Sequence, residues 1–538
     1  MNSKNGERMP IRKINRNDKL IFALIMFLAL ALRLYFFVGA SMEDDLGIEE
    51  RAFWLSNGHW EYGIDLSLRR MNYAPIALAY RIAGIHVFTT HVYHMLCALM
   101  MIATAYFLAR LFFGLRAAVC SSVFLAFVPL HIVYSSRLMP SIPESMWGGL
   151  AIWLLCAIEA RGRPRTNLRS LLSYAGVGIL IGVAYLCRET GIVMWSVPLA
   201  YLTVEMIMHP ENIQRRFAQG LAVSGGCFSI LGGESLWYFC ATRDWLHRWH
   251  VVHAAQANTQ GFYPWHFFLN QLLNIYNTQL FSVSLRDGLR EILSPQNHYW
   301  SPMLGLMGFA IFVSVAVYAL KAARGPQKII LFWFLAYFLF LSFSVISLSP
   351  YLPARKFPRY QLLYLTPVSI MVGWFLDFLW RKKKGAYVVF PCAAILLASS
   401  LYYTRQAYQY ARSYYHGAVE LRRLISQHVD PDIPLYLDGF EICLFDLWDG
   451  HHSIYRYLND QEFPANQHPA EGAYVVVLRE MNRDVIVAGP NAPSFALHRP
   501  ADWVKVGELN LGSWEFFKPG VSPVLYYIPP LRKNGPAR

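Results

Sequence analysis

The sequence predicts an α-helical polytopic membrane protein with about 11 transmembrane helices and a small C-terminal extracytoplasmic α/β domain. Its composition, the spacing of its apolar runs and a change of pattern after residue 403 predict this. Hydrophobic residues make up 55% of the 538 and charged residues 15%, against about 25% charged in soluble proteins, too few to build an aqueous surface. The same apolar excess, with 8 Cys, excludes a disordered chain, a collagen-like rod and a small disulfide scaffold. A formal charge of +14 would suit nucleic acid, but the Lys and Arg residues sit between apolar segments, which points to a lipid bilayer and to no nucleic-acid partner. Cys97, Cys120, Cys156, Cys187, Cys227, Cys240 and Cys392 fall in or beside apolar stretches and Cys443 lies alone in the polar portion, giving neither a disulfide framework nor a zinc spacing.

Apolar windows of about 19 residues place spans near 20–40, 91–113, 117–134, 144–160, 170–187, 191–208, 218–240, 302–320, 329–349, 361–380 and 385–403. The first, Leu20 to Ala40, ends without a small-residue cleavage site and reads as a retained helix. Ala74 to Val87 is apolar but too short to span, and Trp245 to Gln256 is amphipathic; both read as interfacial helices. From Thr404 the chain turns polar. A helix over 417–428 is followed by period-2 runs, Ala473 to Leu478 and Trp503 to Leu509, with Gly and Pro turns between. Residues 1–403 thus form the transmembrane domain and 404–538 a soluble one.

Lys and Arg resist translocation, so they mark the cytoplasmic side. Lys4, Arg8, Arg12, Lys13, Arg16 and Lys19, then Arg161, Arg163, Arg165 and Arg169, then Lys321, Arg324 and Lys328, then Arg381, Lys382, Lys383 and Lys384 all fall on one face. The N-terminus is therefore cytoplasmic, and an odd number of spans puts the tail outside. The outer face receives 41–90, the turn 137–144, residues 188–189, the loop 241–301, the turn 350–360 and everything after about 404.

On that face Glu43, Asp44 and Asp45 follow the first span, with Glu49, Ala52, Leu55 and Gly58 spaced as a helix whose first turn carries the acids. A solvated loop is the plain alternative. These residues resemble the run D-E-x-x-Y-x-x-x-A-x-x-L-x-x-G that opens the first outer loop of polyprenyl-phosphate-sugar-dependent glycosyltransferases with the GT-C fold. That superfamily includes protein O-mannosyltransferases and lipid A aminoarabinose transferases. Leu46 replaces the second acid and Glu49 the aromatic. Pro75, the turn Ser136-Arg137 to Pro143-Glu144, Gly178-x-x-x-Gly182 leading to Arg188, and Phe357-Pro358-Arg359-Tyr360-Gln361-Leu362-Leu363 with Pro367 follow in the superfamily's order. Tyr73 stands where members often carry a Lys before the Pro, and Arg69 or Arg70 is the substitute at hand. The resemblance covers about residues 20 to 380.

The resemblance implies a membrane glycosyltransferase of a bacterial inner membrane that moves one sugar from a polyprenyl-phosphate donor to a lipid, glycan or protein acceptor, with no cofactor required and a divalent cation left open. Asp45 or Asp44 takes the place of its catalytic acid. An acceptor hydroxyl is a poor nucleophile until a base takes its proton, and direct displacement inverts the anomeric centre with a single carboxylate. The leaving polyprenyl phosphate needs guanidinium or ammonium groups at the membrane surface: Arg188, Arg359, Arg355, Lys356, Arg69 and Arg70. Glu144, Arg137 and Tyr360 are candidates for the acceptor or for positioning.

Each has a plainer reading. Arg at a helix end snorkels to the interface, and Glu144 caps the fourth span. Arg33, inside the first span, pairs with an acid or reaches the donor phosphate, and Glu234 needs a partner or a cavity. His247, His250 and His253 on one interfacial helix make no metal site, and Gly178 with Gly182, and Gly225-Gly226 with Gly232-Gly233, read as helix contacts. The alternative function is a transporter or flippase of a lipid-linked or small polar substrate. It calls for internal repeats and charges near the midplane, whereas here no repeat is seen and the charges cluster at one face.

Overall fold

The computed structural model describes residues 15–39, 44–60, 62, 63, 65–160, 167–257, 305–343, 345–348, 351–353, 358–382, 384–430, 432, 433, 435–438, 454–457, 472–478, 503–508 and 523–529. It is mostly helical. The chain divides into two compact units, Met1–Phe37 with His59–Pro75 and Val92–Ala407, and Val38–Gly58 with Ile76–His91 and Tyr408–Arg538.

The helices are α1 (Arg16–Tyr35), α2 (Asp44–Ser56), α3 (Arg70–Ala83), α4 (Val87–Phe112), α5 (Leu115–Phe127), α6 (Pro129–Tyr134), α7 (Ser141–Ala160) and α8 (Leu168–Cys187). They continue as α9 (Ser196–Met208), α10 (Ile213–Thr242), α11 (His247–Ala257), α12 (Gly305–Lys321), α13 (Lys328–Phe343), α14 (Leu362–Trp380) and α15 (Gly385–His428). Six helical segments among the described residues are long and apolar enough to cross a membrane: Val87–Phe112, Ser141–Ala160, Leu168–Cys187, Glu189–Met208, Leu362–Trp380 and Gly385–Gln409.

In the first unit, α1 starts at a capping box in which Asp18 N–H donates to Asn15 Oδ1 at 2.8 Å and Asn15 N–H to Asp18 Oδ2 at 3.3 Å. Arg110 of α4 then bridges Asp18 at 2.7 Å, tying the two helices at that end. The expected span 117–134 is instead two helices. Val128 is extended and Pro129 opens α6, because proline lacks the N–H and disfavours helical backbone at the residue before it. The expected span 329–349 stops at Phe343, after which β1 (Val345–Leu348) pairs antiparallel with β2 (Tyr351–Pro353).

Glycine sets the α8–α10 seam. A Cβ on Gly178 would lie 1.9 Å from the Val223 carbonyl oxygen, and one on Gly226 would lie 2.1 Å from that of Ala175, so only glycine lets the two backbones approach. Gly225, Gly232 and Gly233 face open space, so the second glycine pair only partly serves the seam.

In the second unit, α2 ends before Gly58, whose φ of +85° suits a helix terminus that L side chains rarely adopt. Arg81 of α3 donates to the last carbonyls of α2, Ser56 at 2.8 Å and Leu55 at 3.1 Å. The helices expected at 385–403 and 417–428 are one continuous α15 of 44 residues, of which residues 385–407 belong to the first unit and 408–428 to the second. Beyond it, β3 (Leu435–Asp438), β4 (Ile454–Tyr457), β5 (Ala473–Leu478), β6 (Val504–Glu508) and β7 (Pro523–Ile528) form a mixed sheet in the order β4-β3-β5-β7-β6. Strand alternation buries Ala473, Val475, Val524, Tyr526 and Ile528 with Trp503 and leaves Tyr474 paired with Tyr527 on the other face.

Candidate active site

At one end of the first unit, α7 begins, α8 ends and α14 begins. Arg188 caps α8 in extended conformation, and the chain turns back over the last helical turn through the 3-10 helix Glu189–Trp195. Gly191 makes that turn possible: its N–H donates to the Arg188 carbonyl at 2.9 Å, and a Cβ there would lie 2.4 Å from the Ala184 backbone. The turn sends the neighbouring side chains of Arg188 and Glu189 to different partners.

Arg188 Nη2 donates to the Tyr360 hydroxyl at 2.7 Å, with the guanidinium 4.2 Å from the ring centroid. Glu144, fully buried in the first turn of α7, accepts from Thr190 Oγ1 at 2.8 and 2.9 Å and from the Tyr337 hydroxyl at 3.1 Å. Its charge faces that of Arg188, so both carboxylate oxygens serve a site network that reaches well beyond the helix cap. Burial pulls the Arg188 pKa down, while Tyr360 and Glu144 raise it; the net shift is upward and the guanidinium stays charged.

Glu189 and Glu234 meet Arg248 of α11. Arg248 Nη1 donates to Glu234 Oε1 at 2.7 Å, its Nε and Nη2 to Glu189 Oε1 at 3.0 and 2.7 Å, and Nη2 also to the Tyr185 carbonyl at 3.0 Å. Its guanidinium lies 4.3 Å from the Tyr185 ring centroid. Burial acts to lower the Arg248 pKa, but the two carboxylates outweigh it and raise it. Arg248 is thus the partner that Glu234 requires.

Beside this network Arg70 opens α3 among aromatic rings, 4.4 Å from Tyr238, 5.1 Å from Trp237 and 5.8 Å from Trp60. Its buried Nε and Nη2 have no hydrogen-bond partner among the described residues. The charges of Arg69 and Arg70 act on Glu189 and Glu234 respectively. Asn72 ties the start of α3 to the turn before α7: its Nδ2 donates to the Leu138 carbonyl at 3.2 Å and its Oδ1 meets His94 Nε2 at 3.1 Å. In that turn the Arg137 guanidinium lies 5.0 Å from the Tyr134 ring.

Of the residues singled out in the sequence, Arg69, Arg70, Arg137, Glu144, Arg188 and Tyr360 all belong to this unit, as does Arg359, in the 3-10 turn Pro358–Gln361. Arg355 and Lys356 lie outside the described residues. Asp44 and Asp45 open α2 in the second unit, where Asp45 and Glu49, one helical turn apart, are both fully buried. Among the described residues Arg33 meets backbone carbonyls and a histidine in place of an acid. It is fully buried, donating to the Ala29 carbonyl at 2.8 Å, to the Ala126 carbonyl at 3.4 Å and to His131 Nδ1. Along α11, His247 meets the Tyr62 carbonyl at 2.7 Å, His250 meets Asp244 at 2.8 Å and His253 stacks on Trp249. Among the described residues no group of three or more His, Cys, Asp or Glu is placed to hold a metal ion.

Sequence reasoning did not find Thr190, Tyr337, Trp60, Trp237 or Arg248 as parts of this site. Arg248 carried the one usable signal, a cation on the helix expected at the outer interface, shortly after a Glu234 that needs a partner, but its bond to Glu189 joins residues 59 apart.

The described fold is similar to that of ArnT from Cupriavidus metallidurans bound to undecaprenyl phosphate, with a TM-score of 0.56 and 13% identity over 95% of this chain and 97% of that one. It is also similar to the apo oligosaccharyltransferase of Archaeoglobus fulgidus, with a TM-score of 0.50 and 13% identity over 86% of this chain and 69% of that one. This is the GT-C fold. Residues 71–229 match the model of the family described as dolichyl-phosphate-mannose-protein mannosyltransferase. No curated protein sequence matches it.

Proposed function

We propose that the protein is an inverting glycosyltransferase of the bacterial inner membrane. It moves one sugar from a polyprenyl-phosphate donor to a lipid, glycan or protein acceptor on the extracytoplasmic face. In this reading eleven helices span the bilayer, the N-terminus is cytoplasmic, and residues 404–538 form an extracytoplasmic domain. The observation that carries it is Arg70 at the guanidinium-bearing end of the first unit, whose buried Nε and Nη2 have no hydrogen-bond partner among the described residues. Preorganised donors beside the bilayer suit a phosphate that gains charge as the glycosidic bond breaks.

The reaction divides among the residues as follows. Asp45, or Asp44 beside it, takes the proton from the acceptor hydroxyl as its oxygen attacks C1 of the sugar. The C1–O bond to the lipid phosphate breaks, and the anion left behind rests on Arg70 and Arg188, with Arg69, Arg359, Arg355 and Lys356 as further cations. Glu144 and Tyr360 hold the Arg188 guanidinium in place, and Arg137 faces the acceptor.

The deciding experiment is transfer from a labelled polyprenyl-phosphate sugar in membranes carrying the parent, Asp44→Asn, Asp45→Asn or Arg359→Ala. Loss of transfer in one Asp variant and in Arg359→Ala, with normal insertion, is the expected result. Full activity in all three, together with solute movement in vesicles, would make the protein a transporter. Cysteine labelling from outside intact cells should reach positions 45 and 359 alike, and labelling that puts them on opposite leaflets would end this mechanism.

A further inference from the structure

Glu234 is a buried carboxylate and Glu189 a half-buried one, and their charges act on Arg70 and Arg69 respectively. Left to themselves they are the natural acceptors for those guanidiniums, and an anion seat whose donors already hold carboxylates holds no phosphate. We propose that Arg248 is a positioning residue that keeps Arg70 open to an anionic ligand by holding Glu189 and Glu234 itself. This rests on the reading that Arg70 meets the donor phosphate.

Three observations support it. Arg248 meets both carboxylates at 2.7 Å and is only 5% exposed, so its guanidinium and its bond to the buried Glu234 are shielded from water, while Glu189 is half-buried. Tyr185 fixes its plane from one side through the ring and from the edge through its carbonyl, so the fork faces both acids at once. Arg70 is packed by rings in place of acids, with its Nε and Nη2 unpartnered among the described residues. Buried N–H donors without acceptors are costly and persist where another molecule supplies the acceptor. Glu234 lies three and four residues before Trp237 and Tyr238, one helical turn from the rings that clasp Arg70. Without the Arg248 charge, Glu234 would need a new cation, and Arg70 is the neighbour whose charge it already feels. A lysine at 248 could meet one carboxylate but would lack the fork for two.

The test uses the purified full-length protein and farnesyl phosphate as probe, with farnesol as the uncharged control. Compared are the parent, Arg70→Gln, Arg248→Met and the triple variant Arg248→Met/Glu189→Gln/Glu234→Gln. The expected result is binding of the phosphate but not the alcohol by the parent, a loss of about tenfold or more in Arg248→Met, and recovery to within about threefold in the triple variant. An unchanged affinity in Arg248→Met overturns the proposal, as does a folded triple variant as weak as Arg70→Gln, for Arg248 would then act by packing alone. Should Arg248→Met fail to fold, the triple variant decides by the same threefold limit, since it removes Glu189 and Glu234 together with the cation that holds them. A parent that does not bind farnesyl phosphate overturns the donor reading and this inference together. Loss of binding in Arg70→Gln upholds the donor reading whatever Arg248 does.

Discussion

The two ends of the α7–α10 bundle carry buried polar networks built from the same helices, yet they are wired differently. At the end holding Glu159, that carboxylate accepts from Tyr174 through Oε1, from Tyr201 at 3.0 Å and from Arg216 at 2.7 Å, so both oxygens are engaged. Arg216 also meets Gln219 at 3.1 Å and Glu205 at 3.7 Å, and Lys328 meets Glu205 at 3.9 Å, giving two acids for two cations. Fifteen residues back along α7, roughly 22 Å at ~1.5 Å per residue, Glu144 opens the other network, in which Arg70 has two buried donors unpartnered among the described residues. A balanced and closed network holds helices together. One with open donors stores binding capacity for an anion.

The largest effect should come from unbalancing the closed end. Arg216→Met strands Glu159 without its cation and is expected to destabilise the protein by about 3–5 kcal/mol, read as a lower melting temperature in detergent, with donor affinity unchanged in the folded fraction. If donor binding fell and stability did not, the assignment of the two ends would be reversed. Next, Arg188→Ala should lower transfer by about 100-fold with little change in melting, as expected when one preorganised donor to a developing anion is lost. A large fall in melting temperature would instead make the Arg188–Tyr360 pair a structural clasp.

The seam joining the two ends gives a sharper internal control. Gly226→Ala forces a methyl against the Ala175 carbonyl and should destabilise by about 1–3 kcal/mol, which also tests the α8–α10 approach. Arg70→Gln should weaken binding of a short polyprenyl phosphate by about tenfold, roughly 1.4 kcal/mol, without moving the melting temperature. The smallest effect belongs to Gly225→Ala, which points to open space and should be neutral or stabilise by up to about 1 kcal/mol through helix propensity. Equal penalties at 225 and 226 would show that the seam is loosely packed.

Much of the helical framework is local in origin and therefore legible. Leu168–Cys187 is apolar over a membrane's thickness, Asn167 precedes it as a cap, and Arg188 stands where it ends. The strand over Ala473–Leu478 shows in its alternation and lies at the residues expected. Pro129 was equally local, but a window of 19 residues averages across a single break and merges α5 with α6. The length of α15 escaped for the opposite reason: its polar middle reads as the end of a span, although helical hydrogen bonds continue through it.

By itself the sequence determined that this chain belongs in a bilayer and where uninterrupted apolar helices such as Leu168–Cys187 fall. Those properties follow from apolar transfer and from hydrogen bonds closed four residues apart, so a short window suffices to read them. Only the tertiary structure decided that Arg248 answers Glu189 and Glu234, that Thr190 and Tyr337 hold Glu144, and that Arg70 lies clasped by Trp60, Trp237 and Tyr238. Pairings of that kind depend on which faces of distant helices meet, and a charge in one segment carries no mark of the segment that will neutralise it.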